Sequence, residues 1–204
     1  MLKEKIKIAV LVSGGGTNLQ ALLDAEARGE IKNGAIALVI SNKADAYALT
    51  RAQKAGVPAR TITRLECGSA EAFEARLIEE LEAAGIGLIV LAGFLSILSK
   101  DFTDHFADRI INVHPSLIPA FCGAGFYGLR VHEAALSRGV KVTGATVHFV
   151  NEIPDGGRII AQKAVAVQEG DTPELLQRRV MEEAEWILLP EATETVCAAM
   201  RSGK

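Results

Sequence analysis

Asn112 and His114 stand one residue apart at the end of Ile110-Ile111-Asn112-Val113-His114, an apolar run that turns polar. Strand side chains repeat every two residues, so both point to one side. A neutral amide donor beside a group that titrates near neutrality can hold a carbonyl oxygen as it gains negative charge, which is oxyanion chemistry. Asp155, just before Gly156-Gly157, is the third candidate. A carboxylate in a loop folded over that strand end would raise the proton affinity of an imidazole or position a water. Each also has a plainer reading: strand-end hydrogen bonding or capping for an Asn-x-His pair, and a turn for Asp-Gly. His148 lies in the apolar run Ala145 to Val150 and reads as a core histidine. His105 and His132 carry little signal. No spacing among the four His and three Cys suggests zinc, so no metal is expected.

A second constellation is Ser13-Gly14-Gly15-Gly16-Thr17-Asn18, between an apolar run and a helical pattern. Helix N-termini carry unpaired N–H groups and partial positive charge, and glycines let an anion approach that backbone. Leu19 stands where a dinucleotide fingerprint needs its third glycine, and no lysine precedes Thr17 as a Walker loop requires. The loop therefore points to a phosphate ester held at Gly14, Gly15, Gly16, Thr17 and Asn18, with a plain tight turn as the alternative.

The elements that must position these groups alternate along the chain. Ile8 to Val12, Ala35 to Ile40, Ala59 to Ile62 and Leu88 to Ala92 read as strands. Helices are predicted over 18–28, near 44–55, and from Ser69, a good N-cap, with Phe73, Leu77, Ile78 and Leu81 on one face. The strands are unbroken apolar runs, as in a parallel sheet covered on both faces. The first half thus reads as an open, doubly wound α/β sheet built from right-handed βαβ units. In the second half, a strand at 110–114 runs into a loop rich in Gly and aromatics over 115–128. A helix near 129–138 and two β runs, 141–150 and 158–167, follow. A last helix starts near Pro173, capped by Asp171 or Thr172, with a kink or break at Pro190. One domain over 1–204 is expected, residues 1–100 carrying the phosphate side and 101–204 the catalytic side.

Composition narrows the class. The 204 residues are 49% hydrophobic and 23% charged, and 22 basic against 25 acidic residues give a net charge of -3. That supports a sizeable core and predicts no pull toward nucleic acid or an anionic membrane. Three scattered cysteines build no disulfide framework. The apolar stretch after the basic N-terminus is too short for a secretory signal. The longest uncharged run, Ala83 to Ser99, is glycine-interrupted and too short to span a bilayer. A reducing, cytoplasmic location is expected.

IAVLVSGGGTNLQALLDA (8–25), VISNKADA (39–46), LAGFLSILS (91–99), INVHPSLIP (111–119) and GATVHFVNEIPDGG (144–157) together resemble the folate-dependent formyltransferases. The resemblance spans about three quarters of the chain and implies a Rossmann-like formyltransferase fold. It also implies formyl transfer from 10-formyltetrahydrofolate to the amine of glycinamide ribonucleotide in purine biosynthesis, without a metal. Asn112 would stabilise the oxyanion, His114 would act as general acid, and Asp155 would assist proton transfer and order water. The segments Leu95, Ser96, Ile97, Leu98 and Asn151, Glu152, Ile153, Pro154, Asp155 would line the folate pocket beside Asn112. Ile118-Pro119 matches a position often cis in that family, and Glu185 falls near its substrate contacts. Ser96 departs from a frequent Arg, Ala70 from an occasional basic residue and Arg158 from a common Pro. The loop 121–128 is longer than in compact members. Formyltetrahydrofolate hydrolase, which uses water as acceptor, is the alternative. Its usual N-terminal regulatory domain has no room here, since the first strand begins by residue 6. Methionyl-tRNA formyltransferase and a non-catalytic nucleotide-binding module fit less well. The partners implied are small molecules, and the chain is expected as a monomer or homodimer.

Overall fold

In a computed structural model, residues 4–203 are described. Seven strands form one sheet: β1 (Ile6–Val12), β2 (Gly34–Ser41), β3 (Ala59–Thr61), β4 (Leu88–Leu91), β5 (Ile110–His114), β6 (Val142–Phe149) and β7 (Ile159–Ala166). Their order is β3-β2-β1-β4-β5-β6-β7. The first five run parallel, and β6 and β7 are antiparallel to their neighbours, so the sheet is mostly parallel as predicted. The helices are α1 (Thr17–Ala27), α2 (Tyr47–Lys54), α3 (Arg64–Cys67), α4 (Ala70–Ala83), α5 (Lys100–His105), α6 (Leu129–Arg138), α7 (Pro173–Val180) and α8 (Trp186–Ser202). The short α3 and α5 have too few residues to show a periodic apolar face, so the sequence pattern passes over them.

Alternate residues of β1 feed two cores. Ile8, Val10 and Val12 pack beneath α1 and α8, while Ala9 and Leu11 pack with Phe73, Leu77 and Phe102 on the other face. A strand buried on both sides needs apolar residues at every position, which is why β1 and β4 read as unbroken runs. Ser69 caps α4 as expected, its hydroxyl accepting from the Ala72 N–H. Thr172, not Asp171, caps α7. Asp171 is instead gripped by Arg179 at 2.6 Å.

The last helix breaks elsewhere than expected. Pro190 sits inside α8, which continues past it. The irregularity lies upstream, in a π turn over Met181–Glu185 that joins α7 to α8. A π turn takes up one extra residue, and here it brings Ala184 and Glu185 to the buried side. Among the described residues, no helix is long and apolar enough to cross a membrane.

Candidate active site

Strands β1, β4 and β5 are parallel neighbours, so their C-terminal ends share one edge of the sheet, where open α/β folds place ligands. At the end of β5, Ile111 and Val113 point into one core while Asn112 and His114 occupy the opposite face. His114 is buried and Asn112 is half-buried. Antiparallel pairing sets Asn112 directly across from His148 on β6. The Asn112 Nδ2 lies 3.2 Å from His148 Nε2.

The two imidazoles take defined tautomers. His148 Nδ1 is 2.8 Å from the Phe149 carbonyl, an acceptor, so Nδ1 carries the proton and Nε2 accepts from Asn112. His114 Nε2 donates to the Phe121 carbonyl at 2.9 Å, which leaves Nδ1 facing Asp155 Oδ2 at 3.5 Å. Asp155 arrives from the loop after β6 with a left-handed backbone, φ 56°. Its Oδ2 accepts from the Gly123 N–H at 2.8 Å, and its Oδ1 lies 3.5 Å from His148 Nε2. The loop crosses close over β6: a Cβ on Gly157 would sit 1.7 Å from the Phe149 carbonyl oxygen, so only glycine fits.

Burial and charge pull these groups in opposite directions. Burial lowers the His114 pKa, and the nearby Asp155 charge and the Phe121 carbonyl offset it only in part. Burial also opposes ionisation of Asp155. Its contacts with His148 and His114 and the Gly123 N–H together outweigh that cost and hold the carboxyl below its usual value. At neutral pH the site therefore holds a neutral His114 beside an ionised Asp155.

These groups open onto a cleft of about 490 Å³, walled by Gly93 to Ile97 on one side and the 123–128 loop on the other. A recess of about 120 Å³ continues from it between Leu98, Val150 and the segment Asn151 to Asp155. All the residues expected at a folate pocket line one or both. Ser96 is engaged by the Asn42 amide at 2.8 Å, and Asn151 accepts from the Ile153 N–H within its own turn. The Ile118-Pro119 bond in the neighbouring loop is cis.

At the end of β1, Gly16 is the N-cap of α1 with φ 72°. Helix α2 braces this loop. The Ala48 N–H donates to the Gly14 carbonyl at 3.1 Å, and Arg51 Nε donates to the Gly15 carbonyl at 2.8 Å. The Leu95 N–H donates to Ser13 Oγ at 2.9 Å, which ties the glycine loop to the cleft wall. Asn18 Nδ2 donates to Glu185 Oε2 at 2.6 Å. Burial raises the Glu185 pKa, and the Asn18 bond lowers it only in part.

The family model described as "Formyl transferase" matches residues 6–193. The chain belongs to the formyl transferase family. This formyl transferase is 42% identical over 175 residues to the phosphoribosylglycinamide formyltransferase of Escherichia coli K12, covering 86% of the chain and 80% of the relative. It is 44% identical over 194 residues to the chicken trifunctional purine biosynthetic protein adenosine-3. There 95% of the chain matches 19% of the relative, so it spans about a fifth of that protein. The glycinamide ribonucleotide transformylase 1 of Symbiobacterium toebii superposes with a TM-score of 0.89 at 47% identity, over 96% of this chain and 89% of that one. A formyltetrahydrofolate deformylase from Pseudomonas syringae superposes with a TM-score of 0.84 at 27% identity, over 96% and 62%.

The structure thus draws together Asn112, His114 and Asp155 in one candidate site, and separately Asn18 and Glu185. His148 is a buried histidine with both ring nitrogens hydrogen-bonded, as the sequence suggested, and the geometry adds a second aspect. Its Nε2 faces both Asn112 and Asp155. Its only sequence signal was parity with β5, which becomes readable once the register Asn112↔His148 is known. Among the described residues, no group of three or more His, Cys, Asp or Glu is placed to hold a metal.

Proposed function

We propose that the chain transfers a formyl group from 10-formyltetrahydrofolate to the amine of glycinamide ribonucleotide, giving formylglycinamide ribonucleotide and tetrahydrofolate in purine biosynthesis. The observation that carries this reading is the convergence of Asn112, His114 and Asp155 in one cleft, two strands away from a braced glycine loop. The ends of β1 and β5 flank β4. Two inter-strand spacings of ~4.8 Å separate them by about 10 Å. That is the reach of a ribose 5-phosphate bearing one glycyl unit. The names of the relatives support the same acceptor.

In this proposal the phosphate rests on the N–H groups from Gly14 to Asn18, and the folate ring system fills the recess by Leu95 to Leu98 and Asn151 to Asp155. The amine attacks the formyl carbon, and the carbonyl oxygen takes up negative charge. Asn112 has two amide hydrogens; one goes to His148 and the other serves the oxyanion. His114 Nδ1 accepts the proton leaving the amine, Asp155 stabilises the imidazolium, and the same proton passes to the folate nitrogen as the carbon–nitrogen bond breaks. Glu185, beside Asn18, borders the ribosyl phosphate. Residues 1–100 hold the acceptor's phosphate side, and 101–204 bring the three catalytic groups.

Incubation with 10-formyltetrahydrofolate, with and without glycinamide ribonucleotide, tests this by following tetrahydrofolate release. Release that requires the ribonucleotide is expected. Release without it marks a hydrolase, and no release in either arm overturns the catalytic reading.

A further inference from the structure

The cleft wall after β4 has few polar ties, and both of them run to the phosphate side. Phe94 and Leu98 are buried in the core, while Leu95 and Ile97 between them stand 57% and 72% exposed. Among the described residues, the segment 93–97 makes two hydrogen bonds. The Leu95 N–H donates to Ser13 Oγ at 2.9 Å, and Ser96 Oγ accepts from Asn42 Nδ2 at 2.8 Å.

Both partners belong to the segments that shape the glycine loop. Ser13 is buried and directly precedes Gly14. Asn42 follows β2 and leads into α2, the helix whose Ala48 N–H and Arg51 Nε hold the Gly14 and Gly15 carbonyls. The turn around Asn42 is itself fixed: Ser41 Oγ donates to the Lys43 carbonyl at 2.8 Å and accepts from the Lys43 N–H at 3.0 Å. Asn42 Oδ1 is buried without a hydrogen-bond partner among the described residues, so the Ser96 hydroxyl is the polar anchor of that amide. A change in the glycine loop or at the start of α2 therefore reaches Leu95 and Ser96, and ordering one side orders the other.

We propose that Asn42, which lines neither the cleft nor the recess, is a positioning residue that couples the two substrates. Through Ser96 it makes occupancy of the glycine loop and occupancy of the folate cleft mutually favourable. This rests on the formyl-transfer reading above. When the acceptor's phosphate orders the glycine loop, the wall is ordered with it, and the donor no longer bears that cost. By linkage the donor favours the acceptor by the same factor. One neutral hydrogen bond sets its scale, about three- to tenfold.

The test uses tetrahydrofolate and glycinamide ribonucleotide, a pair that cannot react because no formyl group is present. Calorimetry gives the Kd of each alone and with the other saturating. Wild-type protein is expected to bind tetrahydrofolate about three- to tenfold more tightly with the ribonucleotide present, and the ribonucleotide more tightly with tetrahydrofolate by the same factor. Asn42→Ala is expected to bring that factor below about twofold, while each compound alone binds nearly as before. Ser96→Ala, which cuts the bond from its other end, is expected to lose the same factor measured against its own binary Kd, and the double variant to lose no more. Asn42→Asp can still accept from the Ser96 hydroxyl and is expected to keep part of the coupling. An Asn42→Ala protein that weakens both binary complexes but keeps the wild-type factor overturns the assignment, because packing alone then explains the residue. Wild-type protein that binds both compounds without coupling overturns it as well. Failure of the formyl-transfer reading shows separately, as wild-type protein that binds neither compound.

Discussion

Asp155 does more for His114 than pair with it. Burial alone would leave the imidazole a poor proton acceptor, and the carboxylate recovers part of that affinity. Removing the charge while keeping the shape, as in Asp155→Asn, is therefore expected to lower the His114 pKa further. The acid limb of the kcat profile should move to lower pH, and kcat should fall by about 10²-fold or more, as for loss of a positioned proton-transfer group. A limb that stays in place would separate Asp155 from His114. Asn112→Ala is expected to cost about 10²–10³ in kcat with little change in either KM, the usual cost of losing one oxyanion donor. Steady-state kinetics on both substrates checks this, and near-wild-type turnover in both variants removes the mechanism. The residue types and parity of Asn112 and His114 were legible along the chain because a strand imposes a period of two. His148 was not, because its partner is set by an antiparallel register across a 27-residue connection from β5 to β6. An apolar neighbourhood says only that a residue is buried, not what it faces.

Helix α2 presses against the glycine loop proposed to hold the phosphate and fixes its shape. A Cβ on Gly16 would stand 2.6 Å from the Ala48 Cβ and 2.9 Å from its Cα, and the residue already sits at φ 72°. Gly16→Val must therefore shift both the loop and the start of α1. The expected result is a KM for the phosphorylated acceptor raised at least tenfold, with the KM of the folate donor little changed. An unchanged acceptor KM would place the phosphate elsewhere. The parallel strands and the helices packed on them were legible because buried strands, amphipathic faces and caps such as Ser69 each leave a local signature. The π turn at Met181–Glu185 was not. It arises from one residue too many between two fixed ends of a helix, and no local preference encodes it. Proline at 190 was the visible irregularity, yet the helix departs from α geometry upstream, at Met181–Glu185, where Glu185 meets Asn18.

At the scale of the molecule, each half of the chain also reaches into the part of the candidate site that the other half carries. Leu95 to Ile97, from the first half, wall the cleft that holds Asn112, and Glu185, from the second, reaches Asn18. Such a site is only as stable as the fold that assembles it, and one buried group makes that fold sensitive to acid. His132, on α6, is fully buried, and neither ring nitrogen has a hydrogen-bond partner among the described residues. Burial, with a smaller contribution from the His114 charge, pushes its pKa down to about 4 from an ordinary 6.5. Between those values the unfolded chain binds a proton that the folded chain refuses. Stability contributed by neutral His132 is therefore fully present above pH 6.5 and is lost as the pH falls toward 4. The whole difference is worth roughly 3 kcal/mol. His114 acts in the same direction, and Glu185, whose pKa is raised, acts in the opposite one, so the comparison must hold both constant. His132→Leu does so. Urea midpoints measured from pH 7.5 to 4.5 are expected to fall steeply below pH 6.5 in the wild type and more gently in the variant. Parallel profiles would show that the acid sensitivity resides in another group.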